Sequence, residues 1–146
     1  PERGVMASGG TSIPEKAKLF VANRREEIER AEQKLISALD RFQYPDAAKF
    51  AVRLALEEAL VNAFRHGHKN LPNEKVSFEF RVTRDETEMA VEDKGPGFTP
   101  EAVPDPTLDE NLTIPTGRGL LLMRAYMARV EYVGRGNRVE MLYRRS

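Results

Sequence analysis

An acid and an amide, Glu58 and Asn62, stand four residues apart in a segment rich in leucine, alanine and valine. At the period of an α-helix, these two side chains lie one turn apart on the same face. A half-buried carboxylate or carboxamide costs free energy unless a hydrogen bond or a metal ion satisfies it. The pair therefore indicates a ligand, although the solvated edge of an amphipathic helix would also explain it.

Two glycine-containing segments further along the chain could complete such a site, Asp93-Lys94-Gly95-Pro96-Gly97 and Gly117-Arg118-Gly119-Leu120. Glycines let the main chain approach a flat ligand closely, and glycines in front of a helix leave free N–H groups that bind phosphate. The Asp93 carboxylate could accept a hydrogen bond from an exocyclic amino group, and the Asn62 carbonyl oxygen could bind Mg²⁺. Either segment alone is more often an ordinary turn, whereas the combination indicates a nucleotide.

The acid and the amide belong to a long helix that the sequence predicts from Asp46 to Gly67. Asp46 is the predicted N-cap, and Gly67 is predicted to end the helix in the left-handed conformation. The helical period places Arg65 and His66 on the same face as Glu58.

Other elements must position this helix. They are, in chain order, an edge strand at 18–22, a helix at 23–43, the long helix, a hairpin at 76–92, a helix at 120–128 and a hairpin at 129–143. Asn23 and Glu26 have the spacing of a capping box. Consecutive hairpins imply a mostly antiparallel sheet of four or five strands. With about three helices on one face of that sheet, we expect an α+β fold, a two-layer α/β sandwich.

Composition suits one domain, at 18–146, after a loosely ordered segment at 1–17. The 23 basic and 23 acidic residues cancel, so no overall positive charge favours nucleic acid or an anionic membrane. There is no cysteine and no apolar run long enough to cross a bilayer. We therefore expect a cytoplasmic protein without nucleic-acid or membrane partners. Residues 98–116 are rich in proline and acidic side chains, which predicts an irregular lid or partner-binding loop.

In order and spacing, the acid–amide pair and the two glycine segments resemble the N box and the two glycine boxes of the GHKL ATP-binding superfamily. Within that superfamily, the runs EEALVNAFRHGHK and GRGLLLMRAYM resemble the bacterial anti-sigma-factor serine kinases. The resemblance covers roughly residues 18–145 by element order. It implies the Bergerat-type ATP-binding fold.

The resemblance also implies ATP and Mg²⁺ as cofactors and assigns a role to several residues. Asn62 would bind the Mg²⁺ that bridges the phosphates, Asp93 would recognise the adenine amino group, and Glu58 would be the general base. The implied nucleotide-binding set is completed by Arg65, His66, Gly95, Gly97, Thr116, Gly117, Arg118, Gly119 and Leu120, with 98–116 as the ATP lid. Asn137 stands where many relatives carry threonine, which leaves its contact with adenine open.

The resemblance implies a Mg²⁺-ATP-dependent serine kinase that phosphorylates a STAS-domain anti-sigma antagonist and sequesters a sigma factor, and it allows a homodimer. An alternative is a nucleotide-gated partner-switching module that transfers no phosphoryl group, because a loop such as 98–116 is suited to order when nucleotide binds. A third hypothesis is a helix–sheet domain that binds no nucleotide and whose glycines only make turns.

Overall fold

Five strands form one antiparallel sheet in the computed structural model, which describes residues 13–96 and 124–145. The elements are β1 (Glu15–Val21), α1 (Arg25–Arg41), α2 (Asp46–Asn62), a π-helical turn (Ala63–Gly67), β2 (Val76–Val82), β3 (Glu86–Glu92), β4 (Arg129–Val133) and β5 (Arg138–Arg144). Their order across the sheet is β1-β2-β3-β5-β4. The predicted α+β architecture with its antiparallel sheet is confirmed.

Alternation of apolar and polar residues decides which face of the sheet is covered. In β2, Val76, Phe78, Phe80 and Val82 are buried, while the residues between them are half-buried. The pairing register places Phe80 opposite Ala17 of β1 and Met89 of β3, so the apolar side chains of neighbouring strands lie on one face.

The two α-helices cover that apolar face. Leu35 and Leu39 of α1 and Leu56 and Leu60 of α2 are fully buried, and they share one hydrophobic core with the apolar residues of the sheet. The result is a helix layer on a sheet layer, in which the burial of apolar area supplies the main stabilisation.

The start of α1 differs from the prediction. The N-cap is Arg24 in extended conformation, without a side-chain cap, so the expected capping box of Asn23 and Glu26 is wrong. Glu27 instead accepts a hydrogen bond from the main-chain N–H of Ala22 at 3.5 Å. The helix begins one residue later than the predicted capping box would place it. The acid that accepts a main-chain N–H in front of the helix is Glu27 and not Glu26.

The end of α1 is a Schellman motif. Gln43 has a positive φ of 59°, the Tyr44 N–H donates to Leu39 O at 3.1 Å, and the Gln43 N–H donates to Asp40 O at 2.9 Å. These bonds satisfy carbonyl groups that a helix end otherwise leaves free. The chain reverses at this point and α2 starts directly after Pro45.

Both predicted caps of the long helix are wrong. The N-cap of α2 is Pro45, and Asp46 is the first helical residue. There its carboxylate still lies near the positive end of the helix dipole. At the other end, the chain continues from Asn62 into the π-helical turn, and the C-cap is His68 with a φ of −103°. Positive φ among the described glycines occurs at Gly134 and Gly136, both in the β4–β5 turn, and not at Gly67.

The bounds of two further elements differ from the prediction. The edge strand predicted at 18–22 is β1 at Glu15–Val21, so its first residues fall in the segment expected to be loosely ordered. Of the helix predicted at 120–128, residues 124–126 are helical, and its earlier part and the whole of 98–116 lie outside the described residues. Within the described part of the chain, no helix is long and apolar enough to cross a membrane.

Candidate functional site

The helix that carries the acid–amide pair changes its hydrogen bonding immediately after Asn62. Residues Ala63–Gly67 form a π-helical turn, and the His68 N–H donates to Ala63 O at 2.9 Å, five residues back. Single π-turns inside or at the end of an α-helix often occur at functional sites. Here the turn brings Gly67 against the segment that follows β3.

Gly67 and Asp93 are in close contact. A Cβ on Gly67 would lie 2.5 Å from Asp93 Oδ1, so any side chain at this position would occupy the space of the carboxylate. Gly95 packs in turn against the main chain of Gly67. The absence of a side chain at Gly67 therefore serves close approach, and not the left-handed cap that the sequence predicted.

The main chain around Asp93 is held by the β4–β5 hairpin. The Asp93 N–H donates to Asn137 O at 2.9 Å, and the Asn137 side-chain amide donates to Asp93 O at 2.8 Å. Arg135 donates from Nε to Gly95 O at 3.0 Å. Asn137, whose role the sequence left open, thus brackets the peptide groups on both sides of Asp93.

The Asp93 carboxyl group is half-buried and makes a local turn. Its Oδ1 accepts the Gly95 N–H at 2.7 Å, a side-chain-to-backbone bond of the Asx-turn type. Burial raises the pKa of Asp93 above its ordinary value, and the hydrogen bond from Gly95 and the positive charge of Arg135 partly oppose that rise. The Gly95 N–H thus occupies Oδ1, while the part of the chain that the structure describes gives the second oxygen, Oδ2, no hydrogen-bond donor.

Glu58 lies one turn before Asn62 on α2 and is half-buried. Burial raises its pKa, the neighbouring Glu57 carboxylate raises it further, and Arg65 lowers it. A carboxyl group with a raised pKa is a better proton acceptor than an exposed glutamate, provided that it is ionised at the working pH. The arrangement suits a general base.

Asn62 carries a buried polar atom that the described residues leave unpaired. Its Nδ2 has no hydrogen-bond partner among them, and such an atom costs free energy unless a ligand or water satisfies it. The nitrogen and oxygen of an amide exchange places when the group flips, so the same position can present an oxygen. Mg²⁺ prefers oxygen atoms as its ligands. The side chain of Asn62 is therefore suited to coordinate a Mg²⁺ ion that enters the site together with a bound molecule.

Arg65 and His66 lie in the π-turn and are both exposed. Partial burial lowers the pKa of His66, and the positive charges of Arg65 and Lys69 lower it further. Hydrogen bonding five residues back changes the angular position of the side chains that follow Asn62, but Arg65 stays close enough to Glu58 for its positive charge to lower the pKa of that carboxyl group.

The described residues thus bring the end of the π-turn, at Gly67, against the segment with Asp93 and Gly95, and the same helical segment carries Asn62 and Glu58 further back. The remaining predicted site residues, Gly97, Thr116, Gly117, Arg118, Gly119 and Leu120, lie outside the described residues.

Sequence reasoning missed the role of His68. His68 is buried, at 3% exposure, and its Nε2 accepts the Lys94 N–H at 2.8 Å. Its position directly after the N-box run is the one signal in the sequence, because Lys94 lies 26 residues away and no local pattern identifies it as a partner.

The open face of the sheet carries a separate cavity of about 530 Å³. Arg138 of β5 makes ion pairs there with Glu79 of β2 at 2.6 Å, Glu92 of β3 at 3.1 Å and Glu140 of its own strand at 2.9 Å. None of the nucleotide-motif residues that the structure describes lines this cavity, which lies on the side of the sheet away from the helices.

Comparison with known families supports a nucleotide site. The family model described as the histidine kinase-like ATPase domain matches residues 21–143. That range runs from the end of β1 into β5 and contains both the acid–amide pair and the Asp93 segment. A search of curated proteins found no match.

Proposed function

Because the chain belongs to the histidine kinase-like ATPase domain family, we propose that it is a Mg²⁺-ATP-dependent serine kinase that phosphorylates a STAS-domain anti-sigma antagonist and sequesters a sigma factor. Family membership makes it an ATP-binding, kinase-like ATPase domain. The finer choice of acceptor and partners is supported by the runs EEALVNAFRHGHK and GRGLLLMRAYM, which resemble the anti-sigma-factor kinases. A cytoplasmic location and a homodimer belong to the same hypothesis.

One observation carries the proposal, namely the contact between the end of the helical segment and the Asp93 segment. Gly67 lets the Asp93 carboxylate lie against the π-turn. The same helical segment carries Asn62 at the end of α2 and Glu58 one turn earlier. The proposed acceptor for the base therefore lies against the end of the helical segment that carries the amide of Asn62 and the carboxyl group of Glu58.

In this proposal Asp93 accepts a hydrogen bond from the exocyclic amino group of adenine. Its Oδ1 is already used by the Gly95 N–H, which fixes the plane of the carboxylate and leaves the other oxygen for the base. Asn137 and Arg135 hold the surrounding main chain. A rigid acceptor loses little conformational entropy when the base binds.

Asn62 would hold the Mg²⁺ that accompanies the phosphates. When bound, this cation would supply positive charge that neutralises the charge developing on the transferred phosphoryl group. Arg65 and His66 are exposed next to Asn62, and we assign them to the phosphate side of the site. Gly97, Thr116, Gly117, Arg118, Gly119 and Leu120 complete the proposed nucleotide-binding set.

Glu58 would accept the proton of the serine hydroxyl as its oxygen attacks the γ-phosphoryl group. Phosphoryl transfer needs an oriented acceptor for this proton and little further covalent help from the protein. The raised pKa of Glu58 strengthens it as a base but requires a pH at which the carboxyl group is ionised.

The test is phosphoryl transfer from γ-labelled ATP, with Mg²⁺, to STAS-domain proteins encoded in the same genome. We expect labelled phosphoserine on one of them, and removal of Mg²⁺ with EDTA should abolish the transfer. Binding of ATP and of a STAS-domain partner without any transfer would contradict the kinase and favour the nucleotide-gated module.

Glu58→Gln separates the two functions within one protein. Loss of the general base should lower the transfer rate about 100-fold or more, with ATP affinity changed little. Glu57→Gln is the matched control, because Glu57 is the adjacent residue and pairs with Arg25 of α1 at 3.1 Å. Equal rates for the Glu58→Gln protein and the wild type would exclude Glu58 as the base.

A further inference from the structure

His68 connects the π-turn to the segment that follows β3. Its Nε2 lies 2.8 Å from the main-chain nitrogen of Lys94, and its Nδ1 lies 3.1 Å from the main-chain oxygen of Glu74. The Phe64 ring meets the imidazole edge to face, with 6.1 Å between the ring centroids. The imidazole is therefore a buried link between three parts of the chain.

The two partners determine which ring nitrogen carries the proton. A main-chain N–H can only donate, so Nε2 must keep its lone pair, and a carbonyl oxygen can only accept, so Nδ1 must carry the hydrogen. The ring is thus neutral and in the Nδ1–H tautomer. A protonated ring would place a hydrogen on Nε2 opposite the Lys94 N–H, and this bond would be lost.

The groups that face the ring come from three elements. The end of β3 contributes Asp93 and Lys94, the loop before β2 contributes Glu74, and the π-turn contributes the apolar ring of Phe64. The Glu74 carboxylate pairs with Lys94 Nζ at 2.8 Å.

We propose that the neutral ring of His68 is a positioning group that holds Asp93 in place for the nucleotide. The inference rests on the proposed function, in which Asp93 recognises adenine. Lys94 follows Asp93 directly, so the His68 bond anchors the segment from the helix side. Asn137 anchors it from the hairpin side.

The first experiment needs no nucleotide. In ¹⁵N-labelled protein at pH 8, we expect the His68 imidazole shifts of the Nδ1–H tautomer. A ¹⁵N–¹⁵N coupling across the hydrogen bond should join His68 Nε2 to the Lys94 amide. The chain has two histidines, so the second, exposed imidazole can be assigned by elimination. An Nε2–H tautomer, or the absence of the coupling, would overturn the proposal.

The second experiment measures ADP affinity by calorimetry at pH 8 for the wild type, His68→Gln and His68→Phe. Gln can accept from Lys94 and donate to Glu74, so we expect near-wild-type affinity at pH 8. Phe can do neither, and we expect about a tenfold loss, the worth of one or two hydrogen bonds. Lys69→Gln, at the exposed neighbouring position, is the control.

Rescue by His68→Gln distinguishes positioning from general destabilisation, because glutamine restores both hydrogen bonds and phenylalanine restores neither. If His68→Gln loses as much ADP affinity as His68→Phe, these hydrogen bonds do not hold Asp93 for the nucleotide, and the proposal is overturned. Absence of ADP binding in all proteins, with the tautomer and coupling observed, would contradict the proposed function and leave the role of His68 in fixing the Asp93 segment supported.

Discussion

Gly67 and Gly95 meet main chain to main chain. A Cβ on Gly95 would lie 2.7 Å from the carbonyl carbon of Gly67 and 2.9 Å from its Cα. Real Cβ atoms do not approach backbone this closely, so one of the two segments would have to move. The distance between the end of the helical segment and the Asp93 segment is therefore set by two glycines.

Gly95→Ala should destabilise the protein by about 1–3 kcal/mol, the usual cost of overpacking, and should reduce ATP affinity as well. Gly67→Ala should damage binding more than stability, because its new methyl group would displace the Asp93 side chain and not main chain. Thermal unfolding and calorimetry measure the two effects. Gly134→Asn, in the exposed turn at a φ of 63° that asparagine tolerates, is the control. Unchanged ATP affinity in both alanine variants would show that this contact does not shape the site.

Asp93→Asn should reduce ATP affinity about 10- to 100-fold, the worth of a hydrogen bond to a charged group, without loss of stability. The amide oxygen can still accept the Gly95 N–H, and a neutral side chain relieves the burial that raises the pKa of Asp93. In the wild type the same shift predicts that affinity falls on acidification, as the carboxylate is protonated. Calorimetry from pH 8 to pH 5 tests this, and Glu92→Gln on the open face should follow the wild type. An unaltered affinity in Asp93→Asn would exclude Asp93 from adenine recognition.

Asn62→Ala should weaken Mg²⁺-dependent ATP binding about tenfold or more while the melting temperature stays the same or rises. The reason is that Nδ2 of Asn62 is buried without a described partner, so its removal breaks no hydrogen bond within that part of the protein. ATP titrations with Mg²⁺ and with EDTA measure the cation-dependent part, and Asn70→Ala in the exposed loop is the control. A large loss of stability with no change in the Mg²⁺ dependence would make Asn62 a structural residue.

Glu32 should make the protein less stable as the pH rises. It is 3% exposed, it accepts from Arg53 Nε at 3.1 Å, and its other oxygen has no described partner. Burial and the nearby Glu57 raise its pKa from 4.5 to about 7. The folded state holds the proton more tightly than the unfolded state, so the contribution is fully present below pH 4.5 and is lost up to about pH 7.

Glu32→Gln keeps a neutral side chain at every pH and should remove this loss. Relative to the wild type, its free energy of unfolding should gain about 1–3 kcal/mol between pH 5 and pH 8. Denaturant unfolding at both pH values gives the difference. Glu29→Gln, exposed on the same helix, should run parallel to the wild type. If Glu32→Gln also runs parallel, the pKa of Glu32 is not raised in the folded protein.

The sheet and both main helices could be predicted from the sequence because their signals are local. Alternation from Val76 to Val82 identifies a half-buried strand, and every apolar position in that run is indeed buried. The resemblance of the acid–amide pair and the two glycine segments to the nucleotide-binding boxes likewise depends only on their order and spacing in the sequence. These features require no knowledge of distant contacts.

The helix ends and the supports of the site could not be predicted in this way. Gln43 closes α1 in the left-handed conformation although it is not glycine, and the bonds that make this favourable come from carbonyl groups of the preceding turn. His68 and Asn137 bind the main chain around Asp93 from 26 and 44 residues away. Their roles exist only once the hairpin and the helix have come together.

Arg138 has a consequence for how the sheet assembles. A strand that slipped by two residues would keep its apolar side chains on the core face, so hydrophobic burial alone discriminates poorly against that misfolded pairing. The Arg138 guanidinium meets Glu79 and Glu92 on two other strands only in the native alignment. A slip would separate the guanidinium from these carboxylates, so the ion pairs favour the native register of the strands over the slipped one.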